Sequence, residues 1–311
     1  MRALLLVNPA ATTTSARSRD VLVRALRSEV DLEVASTKRR GHAAAMCAEA
    51  ARGGVDLVVT LGGDGTVNEA VNGLLADGPG ERVPALAVVP GGSTNVFARA
   101  LGLPRDWTEG AAVILEALRE GRSRSIGLGR ADERYFTFCA GLGFDAEVIR
   151  RVEQYRLRGR VASPSLYLQA MAERFVTKQE MRHTEITLER PAEEPVPGLS
   201  TVVVQNTSPW TYFGGRPVDA CPQASFDLGL DLMAMKGLRV PSTMRALTGL
   251  LRPGVDGAGG PRGKRVFRLH DVAEFTLCAN GPVAFQVDGD YLGEREKVTF
   301  TSVSTALRVI V

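Results

Sequence analysis

A chain of 311 residues with 44% apolar side chains has material for two domains of about 150 residues each. Its formal net charge of only +3 gives no global argument for nucleic acid, and apolar runs such as 85–89 fall far short of the ~20 residues a membrane helix needs. The four cysteines (Cys47, Cys139, Cys221, Cys278) and three histidines are scattered without ligand spacing, which excludes a zinc site or a His-based triad and leaves reduced, buried thiols as the expectation.

The chain opens on MRALLLVNPA, whose apolar run is too short for a signal-peptide core and ends in a turn. It is expected to be the first strand, 3–7, of a cytoplasmic protein. Helix 16–26, strand 32–35, helix 42–51, strand 57–61 and strand 85–89 follow. Strands alternating with helices predict a parallel sheet covered on both faces, with ligands beyond the carboxyl ends of the strands. Three of those ends are punctuated: Asn8-Pro9-Ala10, Leu61-Gly62-Gly63-Asp64 and Val89-Pro90-Gly91-Gly92-Ser93. If the topology sets them side by side, they line one crevice.

Residues 57–75, LVVTLGGDGTVNEAVNGLL, are the most informative stretch. A β-branched run breaks into glycines around Asp64, then restarts with Val67, Ala70, Val71, Leu74 and Leu75 at helical spacing. Gly62, Gly63 and Gly65 leave room for a ligand to approach amides at a helix N-terminus, where phosphate oxygens are favoured. The Asp64 carboxylate would repel a bare polyphosphate, so it fits a metal-bound nucleotide. The plainer reading is a strand–helix turn closed by a capping box, with Thr66 and Glu69 satisfying the first helix donors. VVPGGSTNVFARAL at 88–101 repeats the strand–Gly–helix device; Ser93 or Thr94 could cap the helix and Asn95 could reach a ligand from its first turn.

After about residue 122 the texture changes to strands and turns: 135–140, 186–188, 201–204, 228–235, 275–279, 283–287 and 298–300, interrupted by helices at 147–155 and 166–176 and by loops 191–199 and 255–263. The expected fold is α/β: an N-terminal Rossmann-like parallel-sheet domain, 1–124 plus 300–311, with a mostly antiparallel β-sandwich or strongly bent sheet over 125–299. Asp288-Gly289 reads as a turn between strands. The run at 150–160, RRVEQYRLRGR, suits either an anionic membrane surface or a solvated charged face. Asp231 reads as a solvated carboxylate at a strand end.

GGDGTVNE, NPAA at 8–11 and VPGGSTNVFARALGLP together resemble the catalytic domain shared by diacylglycerol kinases, sphingosine kinases and their soluble bacterial lipid-kinase relatives. The resemblance continues through AGLGFDAEV at 140–148, Tyr212-Phe213-Gly214-Gly215, FDLGLDL at 226–232 and VDGD at 287–290, and so runs almost end to end. It implies ATP-dependent phosphoryl transfer to a lipid hydroxyl, with the two domains flanking the nucleotide and the chain end returning to the first. By motif, Asn8, Pro9, Ala10, Ala11 and Thr12 would contact ATP, as would Thr37 and Gly63, Asp64, Gly65, Thr66, Val67, Asn68 and Glu69, with Ser93. Asp64 would help hold the metal–phosphate unit, and Asp290 would be the catalytic base. Asp227, with a carbonyl from Gly229, would match a structural Mg²⁺ site.

Two residues depart from the family pattern. Asp-Gly-Glu is usual where Asp288-Gly289-Asp290 stands, a reach shorter by roughly 1.5 Å. Val96 stands where diacylglycerol-kinase-like members often have Asp and sphingosine-kinase-like members a small apolar residue. The expected partners are ATP·Mg²⁺ and a diacylglycerol-like or sphingoid lipid at the inner membrane surface, with no nucleic acid and a homodimer left open. GGDGT is also shared with NAD kinases, and the shortened Asp290 is compatible with a nucleotide-binding regulator of weak catalysis.

Overall fold

The structure, a computed structural model, describes residues 1–11, 15–160, 163–176, 185–213, 215–237, 240–250 and 259–311. Two compact units account for them: Met1–Leu128 with Ser304–Val311, and Gly129–Val303.

The first unit contains β1 (Arg2–Val7), α1 (Ala16–Arg27), β2 (Asp31–Ser36), α2 (His42–Arg52), β3 (Leu57–Gly62), α3 (Asp64–Leu74), β4 (Ala85–Pro90), α4 (Val96–Ala100) and α5 (Trp107–Glu120). The four strands run parallel in the order β2-β1-β3-β4. Every residue of β3 and β4 is buried, as in central strands covered on both faces, whereas β2 at the edge alternates between exposed and half-buried. Helix α1 starts at a reciprocal Ser15–Ser18 capping box and buries Ser18, Leu22 and Leu26 at four-residue spacing. Helix α3 buries Val67, Ala70, Val71 and Leu74, the face its spacing predicts. It packs so closely on α2 that a Cβ on Gly73 would overlap the Ala44 carbonyl.

The chain passes into the second unit along β5 (Arg124–Ala131), followed by β6 (Arg134–Phe136), β7 (Cys139–Gly143), α6 (Phe144–Leu157), α7 (Pro164–Val176), β8 (Ile186–Glu189), β9 (Val196–Leu199) and β10 (Thr201–Gln205). Then come β11 (Thr211–Phe213), β12 (Arg216–Val218), β13 (Leu230–Met235), α8 (Val240–Leu250), β14 (Val266–Val272), β15 (Glu274–Val287) and β16 (Asp290–Val309), whose last residues belong to the first unit and pair Val309 with Leu86. Antiparallel pairing sets the order β14-β13-β10-β7-β15-β16. The first half of β15 pairs with β8 and its last residues with β7, with a register slip between Cys278 and Val283. A strand irregular at that point bends, and its two halves enclose one core. Leu142, Val204 and Leu232 meet Leu188, Leu277 and Val298 there, with Phe275 stacked on Phe300 at 5.2 Å. The β-rich half is therefore a bent antiparallel sheet whose two halves face one core.

The expected strand 135–140 is in fact two, β6 and β7, because a buried carboxylate claims the intervening amides, as described below. Helices α6 and α7 begin earlier than expected. Helix α8 and strand β14 were not foreseen: VPSTMRALTGL is short for a helical period and opens beside a proline. Residues 251–258, which include part of the expected Gly-rich loop, lie outside the described residues. All four cysteines are free; Cys47, Cys139 and Cys221 are buried, and burial pushes the Cys47 thiol up to about 12. Among the described residues no helix is long and apolar enough to cross a membrane.

Candidate active site

Parallel register places Val7 beside Ser36 and Leu61, and Gly62 beside Pro90, so the carboxyl ends of β2, β1, β3 and β4 finish along one edge. Main-chain bonds knit the residues just beyond them. Thr37 donates to the Val7 carbonyl at 2.9 Å, Asn8 to Leu61 at 3.0 Å and Gly91 to Gly62 at 2.8 Å. The Asn8 side chain donates to Thr66 Oγ1 at 2.8 Å and accepts the Ala10 amide at 3.0 Å. The Asn8-Pro9-Ala10-Ala11 turn thus hangs on the first turn of α3. Pro9, Ala10 and Ser93 are exposed on this edge, with Ala11 and Thr37 half-buried. Thr12 lies outside the described residues, as does Gly214.

The glycines on this edge have a second use besides admitting a ligand. Gly63 has ordinary extended backbone, so its lack of a side chain is about space and not conformation. A Cβ on Gly92 would lie 2.7 Å from the Gly63 Cα, and a Cβ on Gly62 would lie 2.8 Å from the Thr66 side chain. The two glycine loops meet backbone to backbone. Asp64 fastens the junction: its Oδ2 accepts the Val96 amide and its Oδ1 the Phe97 amide, each at 3.1 Å. A carboxylate at those two amides is stabilised by the N-terminus of α4. Neither Ser93 nor Thr94 caps that helix; the cap comes from Asp64, 32 residues away. Asn95 is also inward. Buried, with φ at 49°, it accepts the Gly92 amide at 2.8 Å and donates to the Gly92 carbonyl at 2.9 Å, which shapes the loop from within.

The capping box of α3 does not form. The helix begins at Asp64, and Gly63 is its cap, with the Gly63 carbonyl accepting the Thr66 and Val67 amides at 2.9 and 3.1 Å. The amides of a helix's first residues lack an intrahelical acceptor by geometry, and here those positions are Asp64 and Gly65. Glu69 instead serves α2, accepting the Gly41 amide at 2.7 Å and the Ala43 amide at 3.1 Å. Gly41 is the cap of α2 and has no side chain to do this itself. Val67 and Asn68 are buried, so their side chains face the core and not the edge.

In the second unit, Val287 pairs with Asp290 across a two-residue turn, with φ of 48° at Asp288 and 80° at Gly289. Asp-Gly with both angles positive is the favoured tight hairpin. The Asp288 carboxylate is buried and accepts the Thr137, Phe138 and Cys139 amides at 2.8, 3.0 and 3.1 Å, with the Thr137 hydroxyl at 2.8 Å. Burial pushes its pKa up, against the pull of those four donors. Asp288 is thus a structural anchor as well as a turn residue, and the half-buried Asp290 follows it across Gly289.

A carboxylate not singled out from the sequence stands behind the same hairpin. Asp145 Oδ2 accepts Gln286 Nε2 at 2.8 Å, and Gln286 Oε1 accepts the Gly289 amide at 3.0 Å. Burial pushes the Asp145 carboxyl up to about 6, with the Gln286 bond pulling the other way. Gly141 is glycine because a Cβ there would strike the Asp145 carboxylate. The signal was present in the glycine-rich GLGFDAEV, but its partner lies 141 residues on.

Around the expected metal position, Asp227 is exposed and Gly229 donates its amide to Asp271 Oδ1 at 2.6 Å. Asp231 is not a solvated strand end: it is buried, accepts the Asp271 amide at 3.0 Å and meets His270 Nδ1 at 2.8 Å. Among the described residues no three His, Cys, Asp or Glu side chains gather as a metal centre. Any cation here would rest on Asp227 and main-chain oxygens, a donor set that suits only a hard, largely hydrated ion.

Residues 2–131 match the family model of the diacylglycerol kinase catalytic domain. A Bacillus subtilis protein named diacylglycerol kinase is 33% identical over 218 residues, which covers 70% of this chain and 67% of its own length. One from Staphylococcus haemolyticus is 34% identical over 124 residues, 40% of this chain and 36% of that protein. Among solved structures, a diacylglycerol kinase from Bacillus anthracis superposes with a TM-score of 0.71 at 21% identity, over 99% of this chain and 96% of that one. An NAD kinase from Archaeoglobus fulgidus in complex with ATP superposes with a TM-score of 0.54 at 11% identity, over 100% and 94%. At those identities the structural likeness is one of fold.

Proposed function

The chain belongs to the diacylglycerol kinase family and is a kinase, and on that footing we propose that it transfers the γ-phosphate of ATP to a hydroxyl of a diacylglycerol-like or sphingoid lipid. The observation that best supports this reading is the junction of the two glycine loops. It leaves main-chain amides at the start of α3, on the edge where β1 to β4 end, with Asp64 held beside them.

Phosphoryl transfer asks for positioning and charge stabilisation more than for covalent chemistry. Residues 8–12, Thr37, the amides of Asp64 and Gly65 at the start of α3 and the exposed Ser93 hold the nucleotide. A magnesium ion bound with the nucleotide would screen the triphosphate from Asp64, whose own charge is already offset by the Val96 and Phe97 amides. Asp290 accepts the proton of the lipid hydroxyl as its oxygen bonds to the γ-phosphorus. The bond to the β–γ bridging oxygen breaks and ADP leaves with that electron pair. Asp288 and the Asp145–Gln286 pair fix the turn from which Asp290 projects. The first unit is then the nucleotide-binding part and the second the lipid-binding part. Val96 is buried, so the slot that carries Asp in many relatives is apolar here, which weakens an assignment to diacylglycerol specifically and keeps a sphingoid acceptor in the lipid panel.

The test is transfer of labelled phosphate from ATP over a lipid panel in mixed micelles. Wild-type protein is expected to label at least one lipid, and Asp290→Asn and Asp64→Asn to lose 10²-fold or more, the usual scale for a general base. Full activity in Asp290→Asn removes that residue from its role. The fold likeness to an ATP-bound NAD kinase favours one second reading, decided in the same assay by adding NAD and looking for NADP.

A further inference from the structure

The strand ladder is irregular where Asp290 sits. Val287 pairs with Asp290 and Gln286 with Tyr291, but the register shifts between Ala284 and Gln286, so pairing alone holds this end of β16 weakly. Helix α6 packs along β15 and meets the turn on both sides of Asp290. Before it, the Gly289 amide donates to Gln286 Oε1 at 3.0 Å, and Gln286 is itself held at 2.8 Å by Asp145 in the first turn of α6. After it, the Tyr291 amide donates to Glu153 Oε1 at 3.3 Å. Asp145 and Glu153 are spaced as i and i+8 on α6, along one ridge of the helix.

The side chain of Tyr291 is held as well. Arg150 lies over its ring at 5.6 Å from the centroid, and Arg150 Nη1 meets Glu147 at 3.2 Å and Glu294 at 3.3 Å. Arg150 and Glu153, from the first part of the basic run at 150–160, are both half-buried and face the hairpin. A grip on the backbone beside the base matters more for aspartate than for glutamate. The aspartate side chain has one rotatable bond fewer, so its carboxylate follows the backbone more closely and cannot reach out to correct a displaced turn.

We propose that Glu153 is a positioning residue for Asp290, and that α6 holds the backbone on both sides of the base, through Asp145 and Gln286 on one side and Glu153 on the other. Arg150 adds to the hold by fixing the Tyr291 ring. This rests on the reading of Asp290 as the base of a lipid kinase. Glu153 takes no proton from the lipid and acts only through Asp290.

The experiment is a double-mutant cycle of Glu153 and Asp290 in the full chain, read by phosphate transfer from ATP to the best-labelled lipid of the panel and by amide exchange without lipid. Glu153→Ala should lower kcat by up to about 10²-fold, the scale of a misplaced catalytic group, with the KM for ATP and the thermal melt little changed. Glu153→Gln keeps an acceptor for the Tyr291 amide and should restore most of the rate. Gln154→Ala is the control: that side chain accepts from Arg151 at 3.1 Å, and the variant should match wild type. In an Asp290→Asn background Glu153→Ala should cost nothing further, because positioning has no effect once the base is gone. Exchange at the Tyr291 amide should rise in Glu153→Ala and stay low in Glu153→Gln. Undiminished kcat in Glu153→Ala, a fully additive loss in the Asp290→Asn background, or unchanged exchange at Tyr291 overturns the proposal alone. Wild type that labels no lipid, or Asp290→Asn at full rate, instead sinks the reading of the base and this inference with it.

Discussion

Gly92 shows how much a missing methyl group decides. Its α-carbon faces Gly63 across the junction of the two loops, and the added Cβ of Gly92→Ala would meet both the Gly63 Cα at 2.7 Å and Asn95 Oδ1 at 2.9 Å. Backbone cannot step aside as a flexible side chain can, so Gly92→Ala should cost about 1–3 kcal/mol in chemical denaturation. Gly80, with nothing within 4 Å, is the control, and Gly80→Ala should be neutral or slightly stabilising. Asp145 makes a prediction of the opposite sign. Its folded pKa of about 6 lies above the unfolded value of 3.8, so the folded state holds the proton more tightly between those values. Stability then falls as pH rises through that window, and at neutral pH the ionised carboxylate is a burden. Asp145→Asn keeps an acceptor for Gln286 and removes the charge. It should raise stability at pH 7 by up to about 2–3 kcal/mol, with the gain shrinking to nothing below pH ~4. A gain that persists in acid would show that burial of the charge is not its source.

At the scale of elements, two helices are capped by residues from elsewhere in the chain. Asp64, the first residue of α3, caps α4, and Glu69, in the next turn of α3, caps α2. α3 therefore binds the start of two neighbours as well as filling the core with Val67, Ala70, Val71 and Leu74. Glu69→Ala should cost about 1–2 kcal/mol, the usual worth of a side-chain cap, and raise amide exchange at Gly41 and Ala43 first. Unchanged exchange at those two amides would contradict the cap. The capping roles explain why a motif with local helix signals misleads at this point. Thr66 and Glu69 have the spacing of a capping box, but the helix starts two residues earlier, and Thr66 spends its hydroxyl on Asn8. Spacing identifies which side chains are able to cap; it does not say which helix they face.

For the whole molecule, the parallel half was legible because its determinants are local. β-Branched runs, glycine breaks and a 3.6-residue apolar period sit within 57–75, and register alone then aligned the strand ends. The bent antiparallel sheet was foreseen in kind from its strand runs, but not in detail. Its corner depends on a slip between Cys278 and Val283, and its split strand at 137–138 on Asp288, about 150 residues away. Asp145 and Gln286 were hidden for the same reason, as neither has a meaning until the other is beside it. The glycine-lined ends of β3 and β4 remain the feature from which every functional statement here proceeds. Calorimetric titration of the full chain with ATP and magnesium tests it most directly. The expected result is saturable uptake of nucleotide by wild type, sharply weakened in Gly92→Ala and retained in Asp290→Asn. Well-folded wild-type protein that takes up no ATP, or a Gly92→Ala chain that binds it as tightly as wild type, would contradict the account.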